Sequence, residues 1–108
     1  MKYITLIRDP KTSAQPVKDK EVNELLNAPF RRIVEVRLQN GEVLSRHKAN
    51  EPITVHCISG QGLFNAGPDL DESQELREGT LITLEAGIEH EVVAQPSLHL
   101  IVTKFKSS

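Results

Sequence analysis

From Phe30 to Phe105 the chain is written in short, strand-length runs, each alternating apolar with polar residues before a turn cluster cuts it. The cuts fall at Asn40-Gly41, Asn50-Glu51-Pro52, Gly60-Gln61-Gly62, Glu78-Gly79 and Pro96. These residues supply positive φ angles or remove a ladder donor. Counted over the whole chain, with a first run at its N-terminus, about eight or nine strands are expected, and no helix after residue 30. Such strands hide their edges most economically by closing into an antiparallel barrel or jelly roll. The expected fold class is therefore all-β.

Within these runs, period two assigns faces. RRIVEVRLQ places Ile33, Glu35 and Arg37 opposite Val34, Val36 and Leu38. Asn40-Gly41 is a two-residue hairpin signal, with EVLSRHKA as the partner strand. There Val43, Ser45, His47 and Ala49 share a face. In ITVHCIS, Ile53, Val55 and Cys57 lie opposite Thr54, His56 and Ile58. LFNAG, QELR, TLITLEAG, HEVVAQ and SLHLIVTKF supply the remaining strands.

The first 29 residues read differently. Residues 2–8 alternate as a first strand ended by Asp9-Pro10, and a proline-bearing loop follows. Asp19 can then cap a short helix, DKEVNELLN, in which Val22, Leu25 and Leu26 form one apolar face and Pro29 ends the run. The expected organisation is one domain over residues 1–108, with a barrel over about residues 30–105.

The 13 Lys and Arg against 15 Asp and Glu give a net charge of −2 without a long block of one sign, which argues against nucleic acid as a partner. The N-terminal apolar run is too short for a signal-peptide core, and no window approaches the ~18 apolar residues of a membrane span. A cytoplasmic protein with no membrane partner is expected. Cys57 is the only cysteine and lies in an apolar strand, so it reads as a buried, unreactive thiol. Arg31, Arg32, Arg37 and Arg46 read as outward-facing solvated groups, His56 and His99 as surface or interface histidines, and DLDESQE as a solvated turn.

Two stretches remain. Gly41 to Gly60 carries Gly41, His47, Ala49, Ile53 and Gly60 at intervals that match the first motif of the cupins, in which a glycine is followed by H-x-H, a glutamate and a second glycine. Gly79, Glu85, Gly87, His90 and Ala94 match the second motif. The chain thus resembles the cupins over roughly residues 30–105, and the resemblance implies a cupin-like jelly-roll β-barrel. In metal-binding cupins two histidines and a glutamate of the first motif, with the histidine of the second, bind a divalent metal. Here Ala49 and Ile53 stand where two of those ligands would be, which leaves His47 and His90.

A transition-metal site takes about three protein ligands, so no cofactor is expected beyond a weakly bound divalent metal such as Zn, Fe, Mn or Ni at His47 and His90. The two imidazoles are alternatively hydrogen-bonding anchors for a ligand, or are held by polar neighbours such as Ser45 and Thr83. The reading that follows is a small-molecule-binding protein with a degenerate metal site. Its pocket is formed by His47, His90, Val43, Ile53 and Val55, with Ile82 or Leu84 added. The alternative is a metal-dependent enzyme of dioxygenase or isomerase type. The resemblance also implies a homodimer, with the run Tyr3 to Ile7 as a strand that one copy lends the other.

Overall fold

The computed structural model describes residues 3–7 and 18–108. Seven strands follow in chain order: β1 (Lys20–Ala28), β2 (Arg31–Leu38), β3 (Val43–His47), β4 (Ile53–Ala66), β5 (Glu72–Arg77), β6 (Leu81–Leu84) and β7 (His90–Phe105). All pairings are antiparallel. Two long strands, β4 and β7, pair with each other from Ile53↔Lys104 to Ala66↔His90. Each carries two shorter strands on its other edge: β6 and β5 on β4, β2 and β3 on β7. β1 completes the sheet beyond β2.

The long ladder is bent. Its register shifts between Cys57 and Ser59 and again between Gly60 and Gly62, and such bulges kink a strand and increase its twist. The bend depends on close backbone approach. A Cβ on Gly60, which has φ +92°, would run into the carbonyl of Ser97, and one on Gly62 into the carbonyl of Val93. The sequence reading broke the chain into separate strands at Gly60-Gln61-Gly62 and at Pro96. In the structure the sheet continues through both points, so β4 and β7 are single bent strands and the described residues form seven. The core fills the fold between the halves, drawing Val34, Val36 and Leu38 from β2, Phe64 from β4, Leu76 from β5, and Leu98 and Leu100 from β7.

Three further expectations are corrected. Residues 20–28 form β1 rather than a helix. The spacing of Val22, Leu25 and Leu26 imitates a helical face, but a register shift between Glu24 and Leu26 produces it in a strand. A helix this short is marginal alone, whereas a strand here pairs along all of β2. Pro29-Phe30 then makes a two-residue reverse turn, with Phe30 at φ 69°. Second, Asn40 and Gly41 do take the positive φ angles of a tight turn, 57° and 72°. Yet β3 pairs with the N-terminal half of β7 instead of folding back on β2. Gly41 N donates to Pro96 O at 2.8 Å, which fixes the turn at the bend of β7. Third, Tyr3–Ile7 belongs to no strand among the described residues, and Tyr3 is 87% exposed. Alternation makes a segment compatible with a strand without providing a neighbouring edge. The rest of the expected first strand and the loop after it lie outside the described residues.

The outer face holds one buried charge. Glu35 is 0% exposed although it points away from the core, and it accepts from His99 Nε2 at 2.8 Å and Asn23 Nδ2 at 3.3 Å. Arg37 Nε lies 3.6 Å away. This carboxylate ties β1, β2 and β7 together.

Two stability experiments follow. Gly62→Ala forces its Cβ against backbone and should lower stability by about 1–3 kcal/mol in urea unfolding, whereas Gly41→Ala, with open space at its Cβ, should lose only about 1 kcal/mol. Glu35→Ala strands a buried network and should cost about 3–5 kcal/mol by the same measurement.

Candidate functional site

The strands converge on a cavity of about 200 Å³ inside the fold. Its walls are mostly apolar, with Leu44, Ile53, Val55, Phe64 and Val92 among them, and its polar residues are His47, His90, Lys48 and Lys104. Of the residues expected in a pocket, His47, His90, Ile53 and Val55 meet here. Val43 does not line the cavity, and Leu44 does. The cause is a register shift between Leu44 and His47, which puts these two residues on one face despite their odd spacing. Ile82 and Leu84 line a separate depression beyond Phe64, together with Glu72 and Glu85.

His47 and His90 are directly opposed residues of β3 and β7, and their rings meet edge to face with centroids 4.2 Å apart. Phe64 stacks on His90, centroid to centroid 5.5 Å. Each ring is anchored by its own strand end. His47 Nδ1 lies 2.8 Å from the carbonyl of Ser45, and His90 Nδ1 3.0 Å from that of Ile88. A carbonyl only accepts, so in both rings Nδ1 carries the proton and Nε2 is the basic nitrogen. The polar neighbours are thus backbone carbonyls rather than the Ser45 and Thr83 hydroxyls.

Burial lowers the pKa of His90 below the ordinary imidazole value, and the nearby charges of His47 and Lys104 lower it further, against the opposing pull of the Ile88 carbonyl. At neutral pH His90 is therefore uncharged. Cys57 is fully buried in β4, and burial raises its thiol pKa, which keeps it protonated and unreactive.

The other candidates lie elsewhere. His56 is exposed on the outer face and His99 is engaged with Glu35. Arg46 pairs with Glu89 and donates to the Pro68 carbonyl, and Arg32 lies 3.6 Å from Glu24. Sequence reading missed Lys104. Its signal was available in SLHLIVTKF, where Leu98, Leu100, Val102 and Lys104 share one phase.

The depressed pKa of His90 has a sign that can be tested. An unfolded chain takes up this proton near pH 6.5, the folded chain only below that. Stability is then lost as pH falls from about 6.5 through the folded value, and is unaffected by this group above it. NMR titration of the ring protons should place the His90 midpoint below the ordinary imidazole value of about 6.5. His90→Phe should flatten the acid limb of a stability-against-pH curve.

No family model matches the chain, and no curated protein matches it. Solved structures do. An RmlC-like cupin protein from Desulfovibrio desulfuricans superposes with a TM-score of 0.82 at 17% identity, covering 94% of this chain and 97% of that one. An RmlC-like cupin family protein with a double-stranded β-helix fold from Methanocaldococcus jannaschii gives 0.78 at 20%, covering 94% and 91%. A conserved protein of unknown function from Streptococcus pyogenes gives 0.76 at 17%, covering 98% of each chain. The bent β4–β7 ladder with its paired short strands is thus the double-stranded β-helix, and the chain has the cupin fold.

Proposed function

We propose that this protein binds a small, largely apolar molecule in the barrel cavity, with His47 and His90 as its polar anchors. The observation that carries the reading is the pair of imidazoles at 4.2 Å in a mostly apolar wall, each held with Nε2 as its basic nitrogen. Neutral imidazoles so held accept hydrogen bonds from a ligand O–H or N–H. A cavity of about 200 Å³ suits a ligand smaller than the drug-sized molecules of ordinary pockets.

The same residues fit a resident divalent metal poorly. Ala49 and Ile53 line the cavity where further ligands would be needed, and no group of three or more His, Cys, Asp or Glu among the described residues is arranged to hold a metal ion. The positive charge of Lys104 also opposes a cation next to His90. A second reading, a metal-dependent enzyme of dioxygenase or isomerase type, draws on one observation: metal-bound histidines are commonly oriented by a hydrogen bond at the other ring nitrogen.

Around this site we propose a cytoplasmic homodimer acting without nucleic acid or membrane. No helix of the described residues is long and apolar enough to cross a membrane. Support for pairing comes from exposed apolar groups, Tyr3, Ile4 and Leu6 on the N-terminal segment and Leu81 on the outer face of β6.

Elemental analysis of tag-free protein, before and after incubation with Zn, Fe, Mn and Ni salts, should find less than stoichiometric metal. A full equivalent that disappears in both His47→Ala and His90→Ala would favour the enzyme. Light scattering behind size exclusion should give twice the chain mass at micromolar concentration, and monomer mass alone would dismiss the dimer.

A further inference from the structure

We propose that the molecule bound in the barrel cavity is an apolar acid whose carboxylate is held by Lys104 from within the wall and by Lys48 at the rim. The proposal rests on reading the cavity as a ligand site and adds the charge of the ligand.

The alternation of β7 gives the first observation. Leu98, Leu100 and Val102 face inward, and the next residue in that phase is a lysine. Lys104 is the register partner of Ile53, itself 3% exposed, so an ammonium is carried on a rung that is otherwise core. Its methylene stem extends the apolar wall while the head seeks polar company. Lys48 joins it on the cavity lining from the chain just beyond β3.

The second observation is the missing counter-charge. Among the described residues no Asp or Glu lines this cavity. Among the described residues neither Lys48 nor Lys104 has an ion-pair or hydrogen-bond partner, while nearby cations do: Arg46 has Glu89, Arg32 has Glu24, and Lys106 donates to Asn27 at 2.6 Å. Lys48 is exposed and Lys104 half-buried, so it is the Lys104 ammonium that is incompletely hydrated beside the apolar wall and that gains when an oppositely charged group arrives. The third observation is that the imidazoles do not compete for that role. Both commit the Nδ1 proton to a backbone carbonyl, and buried His90, held uncharged, turns a lone pair to the ligand, which repels an anion rather than binding it. The two ammonium groups are thus the attraction for a carboxylate, and the apolar wall between them and Phe64 receives the hydrocarbon body.

The test uses hexanoate, its neutral isostere hexanamide and the cation hexylammonium, titrated into methyl-labelled protein by NMR. Hexanoate should shift the methyl signals of Ile53, Val92 and Val102, with an affinity about tenfold above that of hexanamide, as expected for one charge-assisted contact. In Lys104→Met, which keeps an apolar stem, most of the preference for hexanoate should be lost, with hexanamide unchanged as the control for folding. Lys48→Met should show a smaller loss of the same preference. Hexanamide or hexylammonium binding as tightly as hexanoate would overturn the charge assignment while leaving the ligand pocket intact. A preference for hexanoate that survives in the double variant would overturn the role of these lysines. Failure of all three probes to shift the cavity methyls would overturn the pocket reading itself.

Discussion

The β4–β7 ladder is the constraint from which the rest of the molecule follows. Every other strand except β1 pairs with one of these two, so the position of each is set by where along the ladder it attaches. A straight ladder of this length would be a flat ribbon with two exposed faces. Fourteen residues separate His90 from Lys104, which in an extended strand is about 46 Å. Both nonetheless line one small cavity. The bend at Gly60, Gly62 and Ser97 therefore brings the two ends of one strand to the same place. Ile53 and Phe64, near the two ends of β4, meet there for the same reason. Closure of the barrel and assembly of the site are one event, and both depend on glycines that let backbones approach without a Cβ between them.

The chemistry of the cavity comes from what its strand ends can anchor. Each histidine is pinned by a carbonyl two residues before it, so the orientation of the ring is a local property of the strand. Their meeting is non-local and requires β3 to pair with β7. Burial, and after it the neighbouring His47 and Lys104, disfavour protonation of His90. Under the proposed reading the site presents a lone pair and an unneutralised cation together, a combination suited to a ligand with both a hydrogen-bond donor and a negative charge.

How much of this was legible in the sequence depends on range. The two faces of β2 and β4 could be read because alternation is local, and the meeting of His47 and His90 because their spacing from glycines resembles a known pattern. The bulges were not legible, since an inserted residue changes the phase without changing composition. That is why Val43 was placed in the pocket and Leu44 was not. β1 was mistaken for a helix because a bulged strand and a short helix can space three apolar residues identically, and only the open edge of β2 decides between them. The contact of Glu35 with His99 joins residues far apart in sequence and follows solely from the β2–β7 register.

Position 53 shows how one side chain can set the character of the whole cavity. Ile53 and Lys104 are cross-strand partners, and such pairs are close enough to form ion pairs when their charges are opposite. The pattern that this stretch resembles has a glutamate at that place. A carboxylate there would face Lys104 across the rung and neutralise it, and would add a third donor beside the imidazoles. Isoleucine does the reverse on both counts, since it withholds the donor that a metal would use and leaves the ammonium uncompensated. The absence of a carboxylate donor beside the imidazoles and the uncompensated ammonium are then a single consequence of the Ile53–Lys104 pair, because the same side chain accounts for both.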